Sequence, residues 1–101
     1  MHEQYGISQR TALEFATILE VIYGFRQDYD CGPSLEFIAP FIERTTAIVD
    51  DRLVEMEGMG FVRSARIDNR RVEGSLNTTR LGDTYRKQWE RANGPVAVTF
   101  S

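Results

Sequence analysis

The stretch from Thr45 to Val62, TTAIVDDRLVEMEGMGFV, limits what this chain can fold into more than any other. Val49, Leu53 and Met56 recur at steps of four and three, so they line one stripe of a helix, and Gly60 ends it. Phe61 and Val62 then begin a strand. Just upstream, Ala39, Glu43 and Val49 stand at the first, fifth and eleventh places of an eleven-residue window, with Ile38 and Ile42 apolar beside them. This is helix-turn-helix spacing: a small residue where two helices cross, a tight turn, and a branched apolar residue that seats the second helix on the first.

Downstream the order continues as glycine, apolar pair, basic hairpin, Thr-x-x-Gly and helix. Taken together the pattern resembles the winged helix-turn-helix of MarR-type transcription regulators over about residues 34–90. The residues that carry the resemblance are Ala39 and Val49, Leu53-x-x-Met56-x-x-x-Gly60-Phe61-Val62, Asp68-Asn69-Arg70-Arg71 and Thr79-Arg80-Leu81-Gly82. It implies a mainly α fold with a small β-hairpin (α+β), a winged helix-turn-helix of four helices and a two- or three-stranded wing. A fold of this kind does not by itself settle function.

The 101 residues, 42% hydrophobic and 27% charged, are enough for one core, so a single domain over 1–101 is expected. There is no apolar run long enough for a membrane span, and MHEQYGISQR lacks the pattern of a secretory signal. A cytoplasmic protein is expected. Cys31 is the only cysteine, which excludes an internal disulfide, and as a loop residue it reads as idle rather than redox-active. The net charge of −3 hides an asymmetry. Residues 1–60 carry four arginines against eleven acids, net −7, and residues 61–101 carry seven arginines and a lysine against four acids, net +4. Any anion-binding surface therefore belongs to the second half.

Residues 1–7 form an N-terminal arm. Ser8 caps a helix expected over 8–25, with Gly24 as its stop signal. Its apolar set (Ala12, Phe15, Leu19 and Ile22, widened by Leu13, Ala16, Ile18, Val21, Tyr23 and Phe25) covers more than one face, which points to a homodimer built on this helix, with the last helix as a further contact. The other reading has the N-terminal arm and the C-terminal tail cover that face within one monomer. RQDYDCGP, residues 26–33, is a loop. The helix-turn-helix spans 34–58, opened by Ser34 with Glu36 in the first turn. Pro40 lacks an N–H and crowds the carbonyl of Glu36, so the first helix of the pair is expected to kink or end near Ala39. Glu43 stands where the turn usually carries glycine, which points to a longer or differently shaped turn. The wing covers 61–78, with strands at 61–67 and 72–78 joined by Asp68-Asn69-Arg70-Arg71. Thr79 caps a last helix over 79–92, striped by Leu81, Tyr85 and Trp89, and 93–101 is a β-prone tail that either adds a strand to a neighbour or covers an apolar face.

The resemblance assigns roles to particular residues. Thr45 caps the recognition helix, whose N-terminal residues Thr45, Thr46, Ala47, Asp50 and Asp51 would face the bases of double-stranded DNA, flanked by Arg44 and Arg52. Asp50 can accept a hydrogen bond from cytosine N4, yet two adjacent aspartates disfavour a polyanion, so the alternative is a solvated acidic face. In the wing, Asp68, Arg70 and Arg71 match the residues that set an arginine on the minor groove. Arg63 and Arg66 lie three apart and face opposite ways, so only one of them, taken as Arg66, shares the DNA side. The candidate DNA-binding set is Arg44, Thr45, Thr46, Asp50, Arg52, Arg66, Arg70 and Arg71.

Catalysis finds little support, since the one histidine, His2, lies in the terminal arm and no phosphate loop or metal-ligand spacing is present. No cofactor or metal is expected. Two functions follow: a sequence-specific DNA-binding transcription regulator, or a winged helix that binds a basic protein partner through the acidic face from Glu43 to Glu57.

Overall fold

The computed structural model describes residues 8–96 and 98. Helix α1 (Gln9–Tyr29) is capped by Ser8, whose hydroxyl accepts the Thr11 N–H at 3.1 Å. Ala12, Phe15, Ala16, Ile18, Leu19, Val21 and Ile22 are fully buried along it. The helix does not stop at Gly24, as the sequence suggested. It runs more than a turn further because Phe25 packs on Tyr29 (4.5 Å) and on Phe37 across the loop (4.7 Å), contacts that outweigh the glycine's cost of about 1 kcal/mol. It ends at Asp30 in a left-handed conformation, φ 59°.

Helix α2 (Leu35–Ile42) also outlasts the expected break. Pro40 sits inside it, on the exposed side with Glu36, while Ile38 and Ala39 are buried and hold the segment against α1. The proline removes one backbone bond near the end of a short helix, a loss that packing tolerates. Glu43 closes α2 with φ 55°, taking the left-handed conformation that glycine usually supplies. The turn is therefore short, and helix α3 (Thr46–Gly58) starts directly after the Thr45 cap. Val49, Leu53 and Met56 are fully buried, as their spacing requires. Gly60, at φ 79°, lets Phe61 turn back so that its N–H reaches the Met56 carbonyl at 2.8 Å.

The wing differs most from the expectation. Strand β1 (Val62–Arg63) pairs antiparallel with β4 (Asn77–Thr78), and β2 (Arg66–Ile67) with β3 (Arg70–Arg71). Asp68 and Asn69 alone make the hairpin turn, both left-handed at φ 52° and 65°, the backbone of a type I′ turn. Arg70 and Arg71 thus belong to the returning strand. Residues 72–78 are not one strand either: the Ser75 N–H and hydroxyl both bond the Val72 carbonyl and fold the chain into a second turn.

Helix α4 (Arg80–Asn93) is capped by Thr79, which accepts the Gly82 N–H and donates to the Gly60 carbonyl. Tyr85 and Trp89 are buried, but Leu81, the first residue of the expected stripe, is exposed. Arg86 is buried and pairs with Glu20 (3.1 Å) and Glu90 (3.3 Å), tying α4 to α1. Burial, opposed by Arg86 and reinforced by Glu90, pushes the Glu20 carboxyl above its ordinary range.

Helix α1 touches α2, α4 and β4, so its broad apolar surface is largely covered within the chain. Leu13, Tyr23 and Tyr29 are the large hydrophobic side chains of α1 that stay exposed. Val96 and Val98 pack against the core, which agrees with the covering role for the tail. Positions 97 and 99–101, the arm 1–7 and His2 lie outside the described residues. No helix of the described residues is long and apolar enough to cross a membrane.

A Cβ added at Gly82 would stand 2.0 Å from the Phe61 carbonyl oxygen, which is backbone and cannot step aside. Gly82→Ala is expected to destabilise the fold by about 1–3 kcal/mol, read as a lower urea midpoint with an unchanged m-value.

Candidate nucleic-acid interface

The exposed surface of α3 begins at its N-terminal turn, where Thr45, Thr46 and Ala47 face solvent, and continues through Asp51, Val54 and Glu55. Apolar spacing forces this, since the stripe of Val49, Leu53 and Met56 points inward and leaves these positions outside.

The arginines that flank the helix are not free. Glu14, on α1, has a side chain only 6% exposed, and it accepts the Nε–H of Arg44 and of Arg52, each at 2.8 Å. Burial pushes the Glu14 carboxyl up, but the bonds and charges of the two arginines outweigh it and hold the group below its ordinary value of 4.5. The bond to Glu14, with a further pair to Glu55 at 2.9 Å, overcomes burial and raises the pKa of Arg52. Arg44 and Arg52 thus fasten the turn and α3 to α1.

A second network joins α3 to the wing. Arg71 donates from Nη1 to Asp50 (2.8 Å), from Nη2 to Glu57 (2.6 Å) and from Nε to Ser64 Oγ (3.3 Å). Burial lowers the pKa of Arg71, but Asp50 and Glu57 more than compensate and raise it. Arg66 reaches the same Glu57 at 3.1 Å. The strand register explains the convergence. Arg66 faces Arg71 across the ladder and Ile67 faces Arg70, so one pair turns to α3 and the other turns away.

Of the candidate set, the structure therefore brings Asp50, Arg66 and Arg71 together, brings Arg44 and Arg52 together at Glu14, and leaves Thr45, Thr46 and Arg70 exposed. Arg70, Arg63 and Arg80 are exposed and enter no ion pair among the described residues. Sequence reasoning missed Glu14, and it placed Glu57 on an acidic face without its pairing to the wing arginines. For Glu14 there was a signal, a carboxylate set among closely spaced apolar residues of one helix. For the Glu57 pairing there was none, because its partners lie nine and fourteen residues away on a separate element. Among the described residues no group of His, Cys, Asp and Glu is arranged to hold a metal ion.

Helix-turn-helix, two-stranded wing and closing helix define a winged-helix fold. Two solved structures share it. A single-site mutant of Staphylococcus aureus MepR superposes with a TM-score of 0.64 at 18% identity, over 90% of this chain and 61% of that one. MepR itself, described as a transcription regulator of the Staphylococcus aureus multidrug efflux pump MepA, gives 0.62 at 20% identity, over 89% and 60%. The chain thus spans about three-fifths of the MepR chains it matches. The sequence matches no protein-family model and no curated protein.

Because Glu14 has a lowered pKa in the folded chain, it adds stability above its unfolded value, and that stability is lost as pH falls through the folded value. Glu14→Gln is expected to cost about 3 kcal/mol at neutral pH, since it leaves two arginines without their buried partner. Denaturant unfolding from pH 7 to pH 3 should show a shallower acid-side decline in the variant than in the wild type.

Proposed function

We propose that this protein is a DNA-binding transcription regulator that sets the N-terminal turn of α3 in the major groove and Arg70 of the wing on the minor groove or its phosphates. The observation that carries the reading is the pairing of two free surfaces on one body: the exposed Thr45-Thr46-Ala47 turn and the unpaired Arg70 on the outward face of the hairpin. Hydroxyls and a methyl group suit base edges, and an unpaired arginine suits a phosphate or a narrow groove. Arg63 and Arg80 are further exposed cations from the basic half of the chain. The likeness to MepR supports the reading at the level of the fold. In this function Thr45, Thr46 and Arg70 meet DNA, while Arg44 and Arg52 act by holding α3 in place and Asp50 is engaged by Arg71. A homodimer through α1 or α4, with Leu13 and Leu81 as exposed apolar contacts, would place two half-sites about 10 base pairs apart. The protein would work in the cytoplasm and carry out no catalysis.

A second reading rests on one specific observation, the exposed run Asp51, Val54 and Glu55 on α3, acidic with an apolar centre. Such a surface suits a basic protein partner, and the same winged helix would then serve as an interaction module.

Fluorescence anisotropy with a labelled mixed-sequence duplex separates the two. A DNA reader binds more weakly as salt rises from about 50 to about 200 mM, and Arg70→Ala lowers the salt slope by about 1 for the lost phosphate contact. Thr46→Ala should cost about 1–3 kcal/mol only on a selected operator. Absence of binding by folded protein at low salt would eliminate the regulator and leave the acidic face as the functional surface.

A further inference from the structure

In the family resemblance, the wing's own aspartate helps to set its arginine. In this chain Asp68 forms no ion pair among the described residues, and the residue after Arg70 is anchored instead. Arg71 has a side chain only 13% exposed, and each of its three nitrogens already has a protein acceptor: Asp50 and Glu57 on α3, and Ser64 at the base of the hairpin. A phosphate could take this guanidinium only by displacing two carboxylates within 2.8 Å of it.

The hairpin has little else to hold it. Its ladder is two residue pairs long, and Arg66, Ile67, Asp68, Asn69 and Arg70 are all exposed, so no side chain of the tip is buried in the core. A two-stranded hairpin of this length is marginal by itself in water. Ser75 secures the base through Ala65 and Val72, and Arg66, itself more than a third exposed, adds a weaker strap to Glu57. The contact that fixes the direction of the tip is therefore the one made by Arg71.

We propose that Arg71 is a positioning residue rather than a DNA contact: it clamps the wing to α3 through Asp50 and Glu57, so that α3 and the hairpin move as one body and Arg70 is held outward on the opposite face. The proposal takes the DNA-binding reading above as its basis for what Arg70 meets, while the clamp itself is a property of the free protein. It also gives Asp50 and Glu57 a role. These acids, unfavourable beside a polyanion, neutralise and orient the arginine between the two DNA-facing elements.

Two readouts test it. In the free protein, backbone ¹⁵N relaxation should show order parameters at Ile67 to Arg70 falling from about 0.85 to below about 0.6 in Arg71→Ala, with no such fall in Arg70→Ala. Glu57→Gln, which breaks the same clamp from the α3 side, should loosen the same residues, so the test survives if Arg71→Ala does not fold. On DNA, Arg71→Ala should bind about tenfold more weakly with the wild-type salt slope, whereas Arg70→Ala reduces the slope by about 1. An unchanged order parameter at the tip in both clamp variants overturns the proposal. So does a salt slope that falls in Arg71→Ala as it does in Arg70→Ala, because Arg71 would then touch phosphate itself. If the wild type binds no duplex, the regulator reading falls, and the relaxation data alone decide the clamp.

Discussion

Arg44 and Arg52 approach Glu14 from the turn and from α3, and the position of α3 on the core depends on that contact. A carboxylate this deeply buried is unfavourable unless its lone pairs are filled by positive donors. Two guanidinium groups fill them, each through an Nε–H at 2.8 Å. The result is directional in a way apolar packing is not. Val49, Leu53 and Met56 would tolerate small rotations of α3, but the paired arginines at one carboxylate would not.

The same logic recurs at two other places. Arg86 joins α4 to α1 through Glu20, while Glu90 of its own helix shares the guanidinium, which also lies 4.6 Å from the centre of the Tyr23 ring. Arg71 joins the hairpin to α3 through Asp50 and Glu57. In each case an arginine meets at least one acid of another element, through charge-assisted hydrogen bonds from its planar guanidinium. The chain's reliance on arginine over lysine is thus a matter of construction as well as of possible ligand binding.

This changes how the charge of the molecule bears on function. The acids of the first half and the arginines of the second half look like separate surfaces in the sequence, but several of them meet. Asp50 and Glu57 are occupied by Arg71 and Arg66, and Glu14 by arginines of its own half. The surface still open to an anion is narrower than the composition suggested: the hydroxyl-bearing turn at Thr45 and Thr46, with Arg63, Arg70, Arg80, Lys87 and Arg91 as exposed cations in no ion pair among the described residues. On the exposed run of α3, Asp51 and Val54 stay open, while Glu55 is shared with Arg52.

The order of elements, the caps at Ser8, Ser34, Thr45 and Thr79, and the buried stripe of α3 could be read from the chain, because each follows from short-range spacing and local hydrogen bonding. The passage of α1 beyond Gly24 and of α2 through Pro40 could not, since packing around Phe25 and Ile38 overrode a local preference of a few kcal/mol at most. The left-handed Glu43 is of the same kind: the crossing of two helices imposed a backbone that the residue does not prefer. The candidate DNA-facing residues were visible as types and positions, but which of them are free was not. Glu14 and its arginines are thirty or more residues apart, and Arg71 is fourteen from Glu57, so no periodicity links them. Sequence alone determined the helices, the turn at Asp68-Asn69 and the family of shapes; tertiary structure decided which arginines hold the protein together and which are available to a ligand, because ion pairing depends on distances in space that only the folded chain defines.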